Sequence, residues 1–219
     1  MTHRTPASTV YLLRHAHSVA NGRGILAGQS KGIKLSAIGK KQADNLVATL
    51  VPLDIDDVYL SPLERCLETV TPFLKVHEKA LISQSPEFVE MNYGGWTGKR
   101  LAILSRRSMW KDIQKEPSTV RFPQGESFLE MRHRAVAGIE SLRGKPGNHL
   151  VVSHGDVIRV ILNHYLGAHL DNFQRLSIDP ASISAIRFAH GGVTIQNMNS
   201  TSSVSAHSSS TLGGGAGKK

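Results

Sequence analysis

The segment that decides the fold is TVYLLRHAHSVAN, residues 9–21. From Thr9 to Arg14 it is a nearly continuous apolar run, which is typical of a central strand buried on both faces of a parallel sheet. Arg14 and His15 end this run, so a guanidinium and an imidazole follow directly on the strand. In open α/β sheets, ligands bind beyond the carboxyl ends of the strands. The segment therefore predicts a central strand and the position of a binding site.

Outward from this strand, the chain alternates short aliphatic runs with helical patterns, as α/β domains with a mostly parallel sheet do. In chain order, the pattern predicts a helix over 36–51, a strand over 57–60, a helix from 61, a strand over 148–153, a helix from 155 to 166, and a hairpin formed by 181–189 and 192–197. Residues 92–126 are less regular and rich in Gly, Trp and Arg. We interpret residues 92–126 as a flap inserted over the carboxyl edge of the sheet.

The best-defined predicted boundary is Ser61-Pro62-Leu63-Glu64. Ser61 stands at the N-cap, Pro62 at the first helical position and Glu64 at N3, which together have the form of a capping box. The predicted buried face of the following helix consists of Leu63, Leu67, Val70 and Leu74.

Length and composition predict one folded domain over 1–199 and a disordered Ser/Gly-rich tail over 200–219. Hydrophobic residues make up 40% of the chain, which is enough for a sizeable core. No apolar run approaches the roughly 20 residues of a membrane span, so no membrane association is expected. Cys66 is the single cysteine and excludes an internal disulfide framework. Without a signal-peptide pattern, the cytoplasm is the expected location.

Three of the predicted strand ends carry basic side chains. Arg14 and His15 follow the first strand, Arg65 lies in the first turn after the second, and His154 follows the strand over 148–153. Because these groups would repel one another when charged, their convergence on one edge requires an anion. Helix N-termini at the same edge add free N–H donors, and we expect a site for a phosphate-sized anion.

Six ordered segments resemble the successive motifs of the histidine phosphatase superfamily, which includes the cofactor-dependent phosphoglycerate mutases. They are LLRHAHSVAN, LSAIGKKQA, SPLERCLET, FVEMNYGGWTG, PQGES and VVSHGDVIRVIL. The resemblance extends from about Val10 to Phe188. It implies an α/β three-layer sandwich, with a mixed, mostly parallel sheet flanked by helices and a small inserted flap.

The resemblance also implies roles for individual residues. His15 matches the nucleophile that becomes phosphohistidine, and Glu90 matches the general acid that protonates the leaving oxygen. Arg14, Arg65 and a protonated His154 match the cationic pocket that stabilises the transferring phosphoryl group without a metal or other cofactor. The expected phosphate-binding residues are Asn21, Ser18 and Gly155.

Several positions depart from the family's usual residues, which leaves the core of the motif intact but bears on substrate choice. Ala16 and His17 stand where Gly and Glu are common after the nucleophile. Thr97 stands where Glu is frequent, and Cys66 where Ala is frequent. His17 itself is expected to be an exposed loop residue.

The predicted function is that of a metal-independent phosphomonoesterase of the histidine acid phosphatase type, acting on a small phosphorylated metabolite. A phosphoglycerate mutase-type phosphotransferase is the first alternative, and a module that binds a phosphorylated ligand without catalysis is the second. A third alternative treats His15 and His17 as a metal pair, since alternate strand residues share a face. No pattern in the sequence predicts an oligomeric state.

Much of the net charge of +9 is concentrated in two segments of the chain. Residues 99–121 of the flap contain seven basic and two acidic residues, and Lys218 and Lys219 belong to the tail. The flap, with Arg106 as the named candidate, is predicted to bind a second acidic group of the substrate. A solvated basic face is the alternative. Aromatic residues are only 5% and form no stacking platform, so nucleic-acid binding is not needed to explain the charge.

Overall fold

The computed structural model describes residues 7–189 and 192–201, and its centre is a six-stranded sheet. The strands are Ser8–Arg14 (β1), Asp57–Leu60 (β2), Leu81–Gln84 (β3), Gly147–Ser153 (β4), Ile183–Ala189 (β5) and Gly192–Ser200 (β6). Their order across the sheet is β3-β2-β4-β1-β5-β6. The four strands from β3 to β1 are parallel, whereas β5 runs antiparallel to both of its neighbours. The mixed, mostly parallel sheet is therefore confirmed.

Helices cover both faces of this sheet. They are Val19–Gly22 (α1), Ala37–Leu50 (α2), Glu64–Leu74 (α3), Leu101–Leu104 (α4), Ser108–Lys115 (α5), Phe128–Arg143 (α6) and Gly155–Tyr165 (α7). The buried side chains of α2 and α3 belong to the core on one face, and those of α6 and α7 to the core on the other. This arrangement is the expected three-layer sandwich.

Strand β1 connects the two cores because its side chains alternate between the faces. Val10 and Leu12 pack into the core with α6 and α7, whereas Tyr11 and Leu13 pack into the core with α2 and α3. All four are buried. The continuous apolar run is thus explained by burial on both sides.

The register of the strands brings the predicted site residues to one edge. Arg14 lies opposite Ser153 in the parallel pair of β1 and β4, so His15 and His154 are the next residues out from the sheet. The His15 amide donates to the Ser153 carbonyl at 2.9 Å. The site therefore lies at the carboxyl edge, as predicted.

The capping box predicted at Ser61 is wrong. Helix α3 begins at Glu64 with Leu63 as N-cap, and no side chain caps it. The Ser61 hydroxyl oxygen instead lies 2.7 Å from Nε2 of His154. A buried imidazole needs a hydrogen-bond partner, and Ser61 supplies it at the end of β2.

The predicted buried face of α3 is also partly wrong. Leu67 is 49% exposed, whereas Cys66, Thr69, Val70 and Phe73 are buried. Compared with the prediction, helix α3 is rotated about its axis so that Arg65 faces the cavity at the carboxyl edge of the sheet. Leu67 faces the solvent as a result.

Strand β3 and helix α6 are among the elements that were not predicted. Strand β3 is an exposed edge strand, and its short sequence has little hydrophobic pattern. Helix α6, in contrast, begins with a reciprocal capping box between Ser127 and Glu130. This Ser-x-x-Glu pattern is visible in the sequence and was the signal that could have identified the helix.

The flap over 92–126 is more regular than its sequence suggests, because it contains α4 and α5. Its aromatic residues hold it against the domain: Trp96 contacts Phe122 edge to face, and Phe122 in turn contacts Phe128 of α6. The predicted hairpin is confirmed by the pairing of β5 and β6. The predicted tail begins at Ser200, the last residue of β6, and its residues 202–219 lie outside the described residues.

Within the described ranges, the helices are all too short or too polar to traverse a lipid bilayer.

Candidate active site

A cavity of about 330 Å³ opens at the carboxyl edge of the sheet, beneath the flap. Its lining includes seven of the nine predicted site residues: Arg14, His15, Ser18, Asn21, Arg65, Glu90 and Gly155. His154 is fully buried directly behind the lining, with its ring centroid 5.2 Å from that of His15. Arg106 is exposed on the flap and lies outside this lining.

His15 is held as a neutral imidazole. Its Nδ1 lies 2.8 Å from the Ala16 carbonyl oxygen. Because a carbonyl only accepts, Nδ1 carries the proton and Nε2 keeps its lone pair. Burial and the neighbouring Arg65 lower the pKa of His15 to about 3. A buried imidazole with a free Nε2 has the state that a nucleophile requires.

Arg14 and Arg65 bring a half-buried and a buried guanidinium group to the same cavity. One nitrogen of each has a protein partner, since Arg14 donates to the Ile178 carbonyl and Arg65 to the Gly28 carbonyl. Nε of Arg14 and Nη1 of Arg65 are buried with no hydrogen-bond partner among the described residues. Buried charged donors without partners are costly. A phosphoryl group bound at this position would supply acceptors for both nitrogens.

The protein groups around His154 favour its neutral form. This contradicts the expectation that His154 is protonated. Nη2 of Arg65 lies 3.2 Å from Nδ1, so Nδ1 accepts and Nε2–H donates to Ser61. Burial and the charge of Arg65 hold the pKa of His154 well below its ordinary value. A phosphate dianion would act in the opposite direction on this pKa.

Glu90 lies at the end of the loop that follows β3, and its side chain is only 12% exposed. Burial and the nearby charge of Asp156 raise its pKa to about 7. One carboxyl oxygen accepts from the Met91 amide at 2.9 Å, and the other lies 3.9 Å from Nδ1 of His154. Glu90 therefore carries an exchangeable proton near neutral pH, beside the guanidinium groups.

The backbone at and just before Glu90 is held by a partly buried ion pair. Arg134 of α6 lies 2.7 Å from the carboxylate of Glu126 and donates to the carbonyls of Glu87, Val89 and Glu90. These contacts position Glu90 from outside the cavity. Sequence patterns do not reveal this role, because Arg134 is distant in the chain.

The smaller predicted residues, Ser18, Asn21 and Gly155, also line the cavity. Gly155 opens α7 so close to Arg14 that a Cβ there would lie 3.3 Å from its Nε. Ser18 caps α1, and its hydroxyl donates to Oδ1 of Asn21 at 2.8 Å. Oδ1 also accepts from the Ser18 amide, which leaves the NH₂ group of Asn21 as the donor that can reach an anion.

Tyr93, Asp156 and Arg159 line the cavity and form a hydrogen-bonded cluster that was not predicted from the sequence. Asp156 accepts from the Tyr93 hydroxyl at 2.7 Å and from Arg159 at 3.1 Å. The i, i+3 spacing of Asp156 and Arg159 at the start of α7 was the available signal. Tyr93 comes from the flap, and only the fold brings it to Asp156.

The family departures are accommodated in the structure. Ala16 is fully buried, and its amide donates to Thr69. His17 is half-buried rather than exposed, and its Nδ1 lies 2.8 Å from the Ser36 hydroxyl that caps α2. Cys66 is buried with its Sγ 3.6 Å from Nε2 of His154.

In the part of the chain that the structure describes, no group of three His, Cys, Asp or Glu side chains is arranged to hold a metal ion.

Comparisons with known proteins agree with this geometry. Residues 10–201 match the model of the histidine phosphatase superfamily, branch 1. A probable phosphatase of Schizosaccharomyces pombe, C1687.21, is 31% identical over 72% of this chain and 73% of its own. Phosphoserine phosphatase 1 of Hydrogenobacter thermophilus is 29% identical over 87% of this chain and 91% of its own. Other relatives of 28–29% identity are named probable phosphoglycerate mutases.

Among solved structures, a putative alpha-ribazole-5'-P phosphatase from Escherichia coli superposes with a TM-score of 0.81 at 25% identity, covering 91% of this chain and 99% of that one. The fold, the order of the motifs along the chain and the clustering of the site residues all agree with the family match. The chain therefore belongs to the histidine phosphatase superfamily, branch 1, and is a phosphohydrolase of the histidine phosphatase type.

Proposed function

We propose that the protein hydrolyses small phosphomonoesters through a phosphohistidine formed on Nε2 of His15. The observation that carries the proposal is the pair of buried, unpartnered nitrogens of Arg14 and Arg65 beside a neutral imidazole with a free Nε2. The guanidinium groups bind and orient the phosphoryl oxygens, and their charge stabilises the transition state without a metal ion.

In the first step, the Nε2 lone pair attacks phosphorus and the bond from phosphorus to the ester oxygen breaks. The proton of Glu90 passes to that oxygen, so a neutral alcohol leaves rather than an alkoxide. The products of this step are the alcohol, phosphohistidine and the Glu90 carboxylate.

In the second step, the Glu90 carboxylate takes a proton from water as the water oxygen attacks phosphorus. The P–N bond breaks, orthophosphate forms, and Nε2 of His15 recovers its lone pair. Glu90 is again protonated, so the two steps return the enzyme to its starting state. Since the pKa of Glu90 is about 7, the first step favours neutral to acidic pH, as in an acid phosphatase.

The test is a rapid-quench experiment with a ³²P-labelled phosphomonoester. We expect an acid-labile, alkali-stable label on the protein that forms and decays at rates consistent with turnover. His15→Ala should remove both the label and the release of orthophosphate. His17→Ala is the matched control, because His17 contacts Ser36 and does not line the cavity. Wild-type protein that hydrolyses no phosphomonoester and never labels would mean a binding module and overturn the proposal.

A mutase differs from a phosphatase only in what the phosphohistidine meets next. We favour water, because the flap contributes only two short helices over the cavity. Incubation with 3-phosphoglycerate decides between them. Conversion to 2-phosphoglycerate without release of orthophosphate contradicts the proposal, whereas release of orthophosphate, or no reaction by an enzyme that releases orthophosphate from another ester, supports it.

The named relatives act on different esters, so they do not select a substrate for this chain. A cytoplasmic location also stays a prediction.

A further inference from the structure

A large part of the cavity lining is apolar. Its walls are Ile25 and Leu26 from the loop after α1, and Trp96, Leu101, Trp110 and Ile113 from the flap. The Trp96 and Trp110 rings are nearly parallel, with centroids 6.5 Å apart. We call this part of the cavity the outer chamber. In a phosphatase, the alcohol part of the ester must occupy it, because the phosphoryl group lies on Arg14 and Arg65.

Among the cavity-lining residues that the structure describes, none offers an uncompensated positive charge to a leaving group in the outer chamber. Arg159 is the third arginine of the cavity lining, and it is paired with Asp156 at 3.1 Å. Glu90 adds a further acidic group at the boundary with the phosphate position. Arg106, which was predicted to bind a second acidic group, is exposed outside the lining. A carboxylate on the leaving group would therefore be desolvated without a free cation to meet it.

Arg159 nevertheless has a buried donor that is not used by its ion pair. Its Nε is buried and has no partner among the described residues, while its Nη1 contacts Asp156 and, at 3.3 Å, Oε1 of Gln174. Since the charge of Arg159 is already balanced, this N–H suits a neutral oxygen acceptor better than a second anion. Gln114 lines the same cavity and adds a second polar group without charge.

These observations rest on the proposed function and extend it to a substrate class. We propose that the preferred substrate is a phosphomonoester of an uncharged alcohol with a flat, apolar ring that packs in the outer chamber and a neutral oxygen that accepts from Arg159. Small anionic esters such as phosphoserine and phosphoglycerate are expected to be poor substrates.

The test compares matched esters whose leaving alcohols have similar acidity. 2-Phenylethyl phosphate should exceed ethyl phosphate in kcat/KM by at least about tenfold, since even one methylene in a fitted pocket is worth about that much. 2-(4-Carbamoylphenyl)ethyl phosphate should exceed its 4-carboxy counterpart by about tenfold or more. These two esters are nearly equal in shape and differ in charge.

A substitution in the outer chamber tests whether the preference for 2-phenylethyl phosphate arises there. Trp110→Ala should lower the ratio of phenylethyl to ethyl kcat/KM toward one, and Ile103→Ala, which truncates an exposed apolar residue of the same flap, should leave that ratio unchanged. The ratio cancels any general loss of active enzyme.

Preference for the carboxylate, for phosphoserine or for 3-phosphoglycerate would overturn the inference, most directly if Arg106→Ala abolished that preference. Equal rates for phenylethyl and ethyl phosphate would overturn it as well. Either result, obtained with normal labelling of His15, leaves the proposed function standing. Absence of labelling with every ester is the separate failure of the proposed function.

Discussion

Replacement of Glu90 by Gln separates the chemical role of this residue from its effect on stability. Gln keeps the size of the side chain and can still accept from the Met91 amide, but it cannot donate the proton that the leaving oxygen needs. For an alkyl ester such as ethyl phosphate, we expect Glu90→Gln to lower kcat/KM by about 10²–10⁴-fold. For 4-nitrophenyl phosphate, whose leaving group departs as a stable anion, the loss should be under about tenfold.

The pH dependence of the same variant follows from the raised pKa. Glu90 acts as an acid while it is protonated, so wild-type kcat/KM for ethyl phosphate should fall as the pH rises through about 7. His15, with a pKa lowered to about 3, stays neutral throughout this range. The ratio of wild-type to Glu90→Gln activity cancels the ionisation of the substrate and should show the Glu90 transition alone.

The stability of the variant should change in the opposite direction to its activity. A pKa raised from 4.5 to about 7 means that burying the carboxylate costs on the order of 3 kcal/mol above pH 7, at 1.36 kcal/mol per pH unit. The contribution of this group to stability is fully present below about pH 4.5 and is lost as the pH rises through about 7. Glu90→Gln should therefore be more stable than wild type at pH 8, by up to that amount, and nearly equal to it at pH 4.5.

The stability of Glu90→Gln is measured by chemical denaturation at pH 4.5 and pH 8. Its activity and pH dependence are measured with ethyl phosphate and 4-nitrophenyl phosphate on the same protein preparation. Glu87→Gln is the control, because Glu87 is an exposed acid three residues away and should change neither activity nor pH dependence. Equal losses on ethyl and 4-nitrophenyl phosphate would refute the role of Glu90 as the acid. A variant that is destabilised equally at both pH values would refute the raised pKa.

Three further substitutions test the geometry. Gly155→Ala, which places a Cβ 3.3 Å from Nε of Arg14, should weaken inhibition by orthophosphate about tenfold without lowering the melting temperature; unchanged inhibition would contradict the close approach. Arg65→Lys should lower kcat/KM by about 10²–10³-fold because an ammonium cannot replace the fork, and activity within threefold of wild type would show that a single charge suffices. Gly138→Ala places a Cβ 2.8 Å from Cζ of the buried Phe88 and should cost about 1–3 kcal/mol in urea denaturation, whereas a gain would mean that helix propensity outweighs the crowding.

Some of the site could be read from local patterns. The apolar run before Arg14 marks a central strand, and a residue that follows a parallel strand lies at the carboxyl edge wherever that strand sits in the sheet. For this reason, His15 and His154 were placed correctly from their neighbours in the chain. Glu90 and Asn21, which line the cavity, were predicted to belong to the site only through the resemblance, since their own surroundings in the sequence carry no comparable pattern.

Other features could not be read in this way. Ser61 matched the pattern of a helix cap, but the fold places a buried imidazole within 2.7 Å of its hydroxyl, and that contact takes precedence. Arg106 belonged to the basic flap, yet the packing of the flap aromatics turns the apolar side of α5 to the cavity and leaves Arg106 in solvent.

The sequence by itself determined the central strands β1 and β4 and the residue types that follow them, because a continuous apolar run and the residues at its end are local features of the chain. Tertiary structure alone decided the pKa shifts in the site and the character of the outer chamber. The lowered pKa of His154, the raised pKa of Glu90 and the pairing of Arg159 with Asp156 all depend on which charges are removed from water together. Desolvation and charge pairing act between residues that are distant in the chain, so they arise only when the chain has folded.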